Sequence, residues 1–465
     1  MKTILINSLL KKIGALADQA GCEVYAVGGY VRDQLLGKES KDIDFVVVGD
    51  GPGFARTVAK RLHTKRITLY EKFGTALVEY DGYRLEFVGA RKESYRGDSR
   101  KPEVAPADLP TDLSRRDFTI NALALSLNQR SFGEVLDPFN GMNDLRNKNI
   151  RTPLEPIITF NDDPLRIMRA IRFATQLDFT IEPNTRNGIV KTAERLGIIS
   201  QERITDELLK ILAAPKPAIG FLLMEETGVL KFVFPELLEL KGIEQIDGHH
   251  HKDVFLHTLQ VLDNLAEVSD NLNLRYTALV HDIAKPRTKE FKPGKGWTFH
   301  NHEEVGARLL PVIGRRLRLP NDMTKYAQLL TRLHLRPIAL TEEDVTDSAY
   351  RRLLVHAGGH LDDLLTLCRA DITSQNPKRV KQHLQNFDFV VGRLKEVEEK
   401  DRMAAFQSPV RGDEIMRVCG LEPGPQVGKL KKMIEEAILE GQIPNEHDAA
   451  LEYLLKRMDA VTGGG

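Results

Sequence analysis

The sequence predicts an α+β protein in which an N-terminal sheet domain is followed by an all-helical remainder. In the first 150 residues, short apolar or alternating runs are bounded by glycine or charged turns and are interrupted by helical patterns. After about residue 160, apolar residues recur at helical spacing and strand patterns fade. The 465 residues exceed the roughly 250–300 that one hydrophobic core accommodates, so we expect several domains.

The predicted elements justify this division. Strand patterns occupy Glu23–Val27, Asp42–Val48, Thr75–Tyr80 and Arg84–Gly89, and helical patterns between them occupy Val31–Leu36 and Phe54–Leu62. In the helical part, the Gly- and Pro-rich stretch Phe291–Trp297 is predicted to be a loop. We expect four segments, namely a head over residues 1–150, a helical neck over 151–245, a further domain over 246–378 and a helical tail over 379–465.

Composition and charge exclude several classes of protein. Lys+Arg and Asp+Glu are both 66, and this zero net charge excludes a uniformly basic nucleic-acid binder but not a local basic patch. The three cysteines are far apart and form no CxxC, which excludes a disulfide scaffold and a thiolate zinc site. They favour a reducing compartment, by default the cytoplasm. No apolar run approaches the roughly 20 residues of a membrane span, so we expect no membrane partner.

Carboxylates alternate with apolar residues on two predicted strands. The side chains of Asp42 and Asp44 share one strand face, and the apolar residues beside them share the other face. Neighbouring carboxylates repel each other, and a bound divalent cation such as Mg²⁺ relieves that repulsion. Glu86 on the second strand would complete a site of three carboxylates. Solvated residues on an open sheet face would give the same pattern, so the pattern alone leaves both interpretations open.

Two further segments carry groups that suit a phosphate. Gly28 and Gly29 follow a predicted strand and open a helix, where backbone N–H groups approach an anion closely. Arg115 and Arg116 precede a predicted helix that begins at Asp117, and paired guanidinium groups bind polyphosphate through two hydrogen bonds each. Taken alone, each feature is also typical of an ordinary turn.

A third segment suits nucleobase recognition. Asp162, Asp163 and Pro164 are residue types favoured at a helix start, and Arg166 and Arg169 follow Asp163 on the same helix face. A carboxylate only accepts hydrogen bonds and a guanidinium only donates them. A fixed Asp–Arg pair would therefore satisfy cytosine and adenine, which present an amino donor beside a ring-nitrogen acceptor, and would mismatch guanine and uracil. A surface ion pair worth under about 1 kcal/mol is the simpler alternative.

The motifs occur together in an order and spacing that resemble one known family. GGYVRD at 28–33, KDIDFVV at 41–47 and SRRDFTINAL at 114–123 are similar to motifs of the bacterial class II tRNA nucleotidyltransferase and poly(A) polymerase family, within the polymerase β-like superfamily. LDPFNGMNDL at 136–145 is similar to the hinge motif of that family. The likeness continues into the neck helices and covers roughly the first half of the chain in detail.

The resemblance implies a polymerase-β-like nucleotidyltransferase head that adds or repairs the 3′-terminal CCA of tRNA from CTP and ATP. It implies two Mg²⁺ ions held by Asp42 and Asp44, with help from Glu86. It also implies a set of nucleotide-binding residues: Gly28, Gly29, Arg32, Arg115, Arg116, Asp117, Asn121, Asp162, Asp163, Arg166 and Arg169.

Two segments of this chain bear on how far the resemblance reaches. The family pattern begins Glu-Asp where this chain has Asp162-Asp163, and the shorter Asp162 is expected to hold Arg166 less tightly. The polar, charged stretch Arg91–Pro102 matches the flexible loop with which the family switches from C to A addition, which argues against an enzyme that adds only C.

A second group of candidate ligands lies in the C-terminal half. Its members are His257, His281, Asp282, His302, His334 and Asp371. A His-Asp pair in an apolar helix end needs polar partners, and imidazole with carboxylate ligands suits Ni, Mn, Fe or Zn. The set resembles the H…HD…D pattern of the HD phosphohydrolase superfamily, with His302 and His334 matching the extra ligands of two-metal members. The resemblance implies a divalent transition metal and hydrolysis of phosphomonoester or cyclic phosphate ends of RNA, unless the site is inherited and idle.

Two alternatives to a CCA-adding enzyme remain open at this point. A poly(A) polymerase on the same scaffold would use the same base-selecting pair. An HD phosphohydrolase with an RNA-binding N-terminal half would release phosphate without incorporating nucleotides. The oligomeric state is not indicated by any pattern in the sequence.

Overall fold

A computed structural model describes residues 8–71, 74–94, 103–247, 250–293, 296–341, 345–373, 377–405, 408–439 and 442–462. The chain divides into two compact units. Unit 1 comprises Met1–Ala339 and Ala357–Phe387, and unit 2 comprises Leu340–His356 and Asp388–Gly465. No helix within the described ranges is long and apolar enough to cross a membrane. The division into four segments remains a prediction.

The strands are short, and most of them lie in the head. In chain order they are β1 Val24–Val27, β2 Asp42–Val47, β3 Ile67–Tyr70, β4 Thr75–Tyr80, β5 Tyr83–Gly89, β6 Arg91–Ser94, β7 Glu103–Pro106, β8 Ala124–Ser126, β9 Val135–Leu136, β10 Asn149–Ile150, β11 Thr180–Ile181, β12 Glu244–Asp247, β13 His250–Asp253, β14 Glu290–Lys292 and β15 Gly296–Thr298.

Helices account for most of the remaining chain. In chain order they are α1 Ser8–Ala20, α2 Gly29–Leu36, α3 Gly51–Arg61, α4 Leu109–Ser114, α5 Gly141–Arg146, α6 Pro156–Asp162, α7 Leu165–Leu177, α8 Pro183–Thr192, α9 Gln201–Leu212, α10 Ala218–Glu226, α11 Leu230–Val233, α12 Pro235–Leu238, α13 Val254–Ala266, α14 Leu272–Val280, α15 Lys285–Thr288, α16 His302–Arg316, α17 Asn321–Leu333, α18 Arg336–Ala339, α19 Asp347–Ala357, α20 Leu361–Asp371, α21 Pro377–Ala405, α22 Gly412–Cys419, α23 Pro425–Leu439 and α24 His447–Thr462.

The head is built on a seven-stranded mixed sheet with the strand order β3-β4-β5-β2-β1-β8-β9. Strand β2 pairs parallel with β5 and antiparallel with β1. On one face, Phe45 stacks on Phe87 with ring centroids 4.7 Å apart, and Phe54 of α3 packs edge-on against Phe87. Because α3 covers this apolar face, alternation leaves the polar residues of β2 and β5 on the opposite face.

The helical part of unit 1 and the helices of unit 2 have separate cores. In unit 1, α13, α14, α17 and α20 pack together and α16 packs on α17. In unit 2, α22, α23 and α24 pack around buried residues that include Ile415, Ile434 and Leu454. Helix α14 is central in unit 1, because all of its residues from Leu274 to Val280 are buried.

The predicted α+β class with a largely helical remainder is confirmed, although short strands interrupt the helical part. The predicted loop at Phe291–Trp297 is wrong, because β14 and β15 form an antiparallel hairpin with Phe291 opposite Trp297. Each of its strands has three residues, too few for strand alternation to be recognised in the sequence. The predicted loop at 91–102 is wrong for its first four residues, which form β6 and pair with β7, and its residues 95–102 lie outside the described ranges.

Candidate active sites

Three carboxylates meet on the polar face of the central sheet. Asp44 on β2 is the register partner of Glu86 on β5, so their side chains project side by side. Asp42 lies two residues earlier, with its Oδ1 3.9 Å from Arg84 Nε. Desolvation raises the pKa of Asp44, Arg116 lowers it and the charge of Asp42 raises it again. Burial and then the charge of Asp44 raise the pKa of Glu86. A divalent cation would relieve this crowding, and the oxygen donors suit Mg²⁺.

The turn between β1 and α2 brings backbone next to these carboxylates. Gly28 has a φ of 71°, a left-handed conformation that glycine adopts without strain. A Cβ atom built on Gly28 would lie 3.0 Å from Arg116 Nη1 and 3.7 Å from Asp44 Oδ2. The absence of a side chain therefore leaves space for an anion between the arginine, the carboxylate and the N-terminus of α2.

One buried aspartate holds both members of the arginine pair. Asp112 of α4 is 0% exposed, and its Oδ1 lies 2.6 Å from Arg115 Nη2. Its Oδ2 lies 3.1 Å from Arg116 Nη2. The sequence analysis missed Asp112, although the arginines follow it at spacings of three and four residues, which bring side chains together on a helix. The shared anchor fixes the two guanidinium groups relative to each other.

Asp117 joins three other predicted site residues. Its Oδ1 accepts a hydrogen bond from Asn121 Nδ2 at 2.9 Å, and its Oδ2 accepts one from Arg169 Nε at 2.8 Å. Arg32 Nη1 in turn donates to Asn121 Oδ1 at 2.8 Å. Burial by itself raises the pKa of Asp117, but Arg169 and Asn121 outweigh it and lower the pKa to about 2. The helix predicted to begin at Asp117 is wrong, because only one 3-10 turn, Thr119–Asn121, follows it.

We expect Asp117→Asn to destabilise the protein by about 2 kcal/mol at neutral pH, because Arg169 loses its buried counter-charge. The folded-state pKa of Asp117 lies below its unfolded value, so its contribution is present above about pH 4 and is lost as pH falls toward 2. The difference in free energy of unfolding between wild type and variant should therefore stay constant from pH 7 to about pH 5 and shrink below pH 4. Urea denaturation at each pH measures it. Asp178→Asn, at the exposed end of α7, is the control, and a gap that persists unchanged at pH 2 contradicts the assignment.

The predicted base-selecting residues occupy the junction of α6 and α7. Helix α6 ends at Asp162, so the prediction that Asp162 opens the base-selecting helix is wrong. Pro164 fits the first turn of the following helix, and the preceding residue is extended, as residues before proline are. Asp163 Oδ1 accepts a hydrogen bond from the backbone N–H of Leu165 at 3.1 Å, so Asp163 is the residue that caps α7.

The guanidinium group of Arg166 is buried and fixed by backbone carbonyls. It donates to the carbonyl oxygen of Thr159 at 3.2 Å and to that of Arg115 at 2.6 Å. Asp163 Oδ2 lies 3.3 Å from Arg203 Nη2 of α9. The two members of the predicted pair are thus held by separate partners, Arg166 by two backbone carbonyls and Asp163 by Arg203, rather than by each other.

These side chains line one cavity of about 680 Å³ in unit 1. Its lining residues are Gly28, Gly29, Arg32, Asp42, Asp44, Arg115, Arg116, Asp117, Asn121, Asp163, Leu165, Arg166, Arg169, Arg172, Phe173 and Arg203. Of the predicted site residues, Glu86 and Asp162 do not line it. Arginines outnumber aspartates in the lining, so the cavity suits a polyphosphate with associated cations. Its volume is typical of a small-molecule site.

The sequence analysis also missed an aromatic ring surrounded by arginines. The guanidinium carbons of Arg172, Arg32 and Arg169 lie 3.9, 4.9 and 5.4 Å from the ring centroid of Phe173. Arg172 Nε also donates to Glu207 Oε2 of α9. Arg172 continues the three-residue spacing of the two arginines before it, and that spacing was the available signal. Stacking on one ring keeps like-charged groups close together without direct contact.

The six predicted ligands of the second site converge in unit 1. One group comprises His257, His281 and Asp371, and the other comprises Asp282, His302 and His334. His257 Nε2 lies 2.9 Å from Asp371 Oδ1, and His302 Nε2 lies 3.2 Å from Asp282 Oδ1. The ligand atoms within each group lie within 4.8 Å of one another. The ordered set of residues in the sequence therefore corresponds to one cluster in space.

The other ring nitrogen of each histidine is already occupied. Nδ1 of His281, His302 and His334 lies 2.8, 2.8 and 2.6 Å from a backbone carbonyl oxygen. His257 Nδ1 lies 2.8 Å from Thr373 Oγ1. Because a carbonyl only accepts, Nδ1 of those three residues carries the proton, and a neutral ring then presents a lone pair at Nε2. This is the orientation that metal-ligating histidines take.

The cluster is electrostatically incomplete as it stands. His302 Nε2 and His334 Nε2 are only 3.3 Å apart, and the buried His281 Nε2 and Asp282 Oδ1 form no hydrogen bond of good geometry, although His302 Nε2 lies 3.2 Å from that oxygen. Burial lowers the pKa of His281, but Asp282 outweighs it and raises that pKa to about 10, so without a cation this ring also carries a proton at Nε2, which a bound metal would displace. Burial and the charge of His281 lower the pKa of His334 to about 3. A cation among converging lone pairs and carboxylates would satisfy all of these groups, so the residues fit a divalent metal.

One cation beside this cluster was not predicted. Lys285 Nζ lies 2.6 Å from Asp282 Oδ2, and both side chains are buried. Lys285 follows Asp282 by three residues at the start of α15, a spacing that the sequence analysis did not use. The lysine holds one carboxylate oxygen of Asp282 and leaves the other directed at the histidines.

Three family profiles match consecutive parts of the chain. The Poly A polymerase head domain matches residues 24–151, the probable RNA and SrmB-binding site of polymerase A matches 178–240, and the HD domain matches 254–371. The histidine cluster lies within the HD match. The sheet and the part of the cavity lining from Gly28 to Asn121 lie within the head-domain match, and most of the remaining lining residues follow it. Fold and sites thus define a nucleotidyltransferase that acts on RNA and carries an HD domain.

Proteins that are similar over most of the chain indicate which family within this class the chain belongs to. The chain is 34% identical over 434 residues to the A-adding tRNA nucleotidyltransferase of Deinococcus radiodurans, covering 91% of this chain and 93% of that protein. It is 35% identical over 324 residues to the multifunctional CCA protein of Cupriavidus metallidurans, covering 67% and 74%. A crystal structure of a tRNA nucleotidyltransferase complexed with a primer tRNA and an incoming ATP analog matches with a TM-score of 0.58 and 26% identity, covering 83% of this chain and 99% of that one. The chain belongs to the bacterial class II tRNA nucleotidyltransferase and poly(A) polymerase family.

Proposed function

We propose that the protein is a template-independent nucleotidyltransferase that completes the 3′-terminal CCA of tRNA from CTP and ATP. The observation that carries this proposal is the single cavity shared by Asp42 and Asp44, the anchored arginine pair and the Asp163–Arg166 pair. The named activities of the relatives, which are A-adding and multifunctional CCA enzymes, support the same substrate.

The residues of the head divide the work of nucleotidyl transfer. Arg115, Arg116 and the N-terminus of α2 bind the triphosphate, because all three present hydrogen-bond donors to anionic oxygens. The RNA 3′-hydroxyl oxygen bonds to the α-phosphorus, the bond to the β-phosphate breaks and pyrophosphate leaves. Asp42 and Asp44 would hold two Mg²⁺ ions with Glu86 in support; when bound, such ions activate the hydroxyl and neutralise charge on pyrophosphate.

Base selection is assigned to Asp163 and Arg166. Two carbonyl groups fix the orientation of Arg166, and its guanidinium group only donates hydrogen bonds, so it cannot accept from the ring N–H of guanine or uracil. We expect Asp163→Asn to raise incorporation of UTP and GTP relative to CTP and ATP by about tenfold or more, since an amide both donates and accepts. Single-nucleotide incorporation with each triphosphate measures the ratio. Asp178→Asn at the other end of α7 is the control, and an unchanged ratio in Asp163→Asn contradicts the role.

The experiment that tests the function uses tRNA ending before CCA and tRNA ending in CC, each with CTP, ATP or both. Ordered addition that stops after three nucleotides supports the proposal. Addition of A only, and only to the CC end, replaces it with the A-adding activity named for the Deinococcus relative. A long A-tail from ATP alone replaces it with poly(A) polymerase activity. The stretch at 91–102, part of which lies outside the described ranges, favours the inclusion of A addition.

The histidine cluster favours a second activity in the same chain. Its four outward-bonded Nδ1 atoms and converging Nε2 atoms support a divalent transition metal. Such a metal supplies an activated water for phosphoester hydrolysis. We propose phosphomonoester or cyclic phosphate ends of RNA as its substrates.

The three free cysteines, Cys22, Cys368 and Cys419, support the cytoplasm as the compartment.

A further inference from the structure

The β14–β15 hairpin presents two large aromatic side chains to solvent. Phe291 is 58% exposed and Trp297 is 44% exposed. They are register partners in the hairpin, and their rings meet edge to face with centroids 5.3 Å apart. Burying large aromatic groups is favourable, so two exposed rings on one face of a short hairpin need a reason other than stability.

The surroundings of the aromatic pair are basic. Lys289 Nζ lies 4.5 Å from the ring centroid of Trp297, and Lys292 lies on the strand that carries Phe291. Glu290 is the only acidic residue described between Lys285 and Trp297, and its Oε2 lies 3.5 Å from Lys292 Nζ. Aromatic faces interleaved with lysines match unpaired nucleobases and their phosphates, rather than an apolar protein surface.

Chain connections place the hairpin at the HD cluster. It starts five residues after Lys285, which holds Asp282, and Trp297 precedes the ligand His302 by only five residues, at most about 18 Å of extended chain. The intervening Phe299 is itself tied to the cluster, because its carbonyl oxygen lies 2.8 Å from His302 Nδ1. An RNA end stacked on the hairpin would therefore have its terminal phosphate near the cluster.

We propose that the β14–β15 hairpin binds the unpaired 3′ end of an RNA by base stacking on Phe291 and Trp297, and so delivers its terminal phosphate to the HD cluster. The delivery step rests on the proposed phosphohydrolase function, whereas the binding step does not. Lys289, which lies beside the Trp297 ring, contacts the backbone phosphates of the same RNA strand.

Trp297 is the only tryptophan in the chain, so its fluorescence reports binding at the hairpin alone. The test titrates the full-length protein, without added metal, with a short single-stranded oligoribonucleotide carrying a 3′-phosphate. We expect saturable quenching whose Kd rises with salt. Phe291→Ala should raise the Kd about tenfold or more. Lys289→Gln should also raise the Kd and should make it less dependent on salt concentration. Val312→Ala, which trims another exposed apolar side chain of the same domain, should change neither.

The outcomes separate this inference from the proposed functions. Absence of quenching, equal binding of a blunt RNA duplex, or an unchanged Kd in both Phe291→Ala and Lys289→Gln overturns it. Lys289→Gln alters a side chain that is not buried, so it remains informative if Phe291→Ala fails to fold. Quenching without nucleotide addition or phosphate release would reject the proposed activities and leave the binding surface in place.

Discussion

Asp44→Asn is expected to lower the rate of nucleotide addition at least a thousandfold without loss of the fold. Asp44 lies on the open face of β2 beside Glu86, and its Oδ2 borders the space at Gly28 that Arg116 Nη1 also borders. An amide keeps the shape but removes the charge that would hold a divalent cation, which is worth several kcal/mol in the transition state. The sheet keeps its backbone pairing, so thermal stability should change little or rise slightly as the repulsion between carboxylates is reduced.

The measurement is single-turnover incorporation on tRNA that lacks its terminal nucleotides. Asp81→Asn is the matched control, because Asp81 is exposed in the turn between β4 and β5 and has a φ of 48°, which asparagine accepts. Release of phosphate by the HD domain should persist in Asp44→Asn. Incorporation at more than a tenth of the wild-type rate would remove the two-aspartate site from the proposed mechanism.

Asp282→Asn is expected to have the second-largest effect, on metal binding and on stability together. Asp282 is buried, and its two oxygens contact Lys285 and His302. An amide removes the negative charge that lies 2.6 Å from the buried ammonium group of Lys285, and breaking a buried ion pair costs about 3–5 kcal/mol. It also removes a negatively charged ligand that would hold a cation together with the histidine nitrogens, so a divalent metal should no longer be retained.

Two readouts separate these effects. Metal content after dialysis against Mn²⁺, Ni²⁺ or Zn²⁺ reports the site directly, and the Tm with and without metal reports linkage, about 2.7 kcal/mol at a hundredfold excess over Kd. Wild type should gain Tm with metal and Asp282→Asn should not. His334→Gln is the milder variant, because it removes one ligand and leaves the ion pair between Lys285 and Asp282 in place. Equal metal content in wild type and both variants would contradict a metal role for the cluster.

The carboxylate site shows which of its features can be predicted from the alternation of side chains along one strand. Alternation alone predicts that Asp42 and Asp44 share a face, and the structure agrees. That Glu86 lies beside Asp44 depends on the parallel register of β2 and β5, and a shift of one residue would turn it to the other face. Pairing between strands separated by some forty residues of chain cannot be read from either strand by itself.

Helix ends and buried counter-ions are the features of the site that could not be predicted from the sequence. Asp162 and Asp163 are both good helix-start residues, and only packing decides that Asp162 ends one helix while Asp163 begins the next. Asp112 has the spacing of a partner for Arg115, yet its importance comes from complete burial, which spacing does not show. In the cluster at Phe173, Arg169 and Arg172 come from the same helix as the ring, but Arg32 comes from α2, and that contact between elements far apart in sequence cannot be read from either element.

The hydrogen bond from Arg166 to the carbonyl oxygen of Arg115 has a consequence for fidelity. The side chain of Arg115 lines the wall where the triphosphate is proposed to bind, so its backbone is shared by the base-reading group and the phosphate grip. An incorrect base that displaces Arg166 would also disturb the alignment of the reacting phosphorus. Errors would then be rejected by slow chemistry after entry, and tRNA completion would be accurate even when the wrong nucleotides outnumber the right ones.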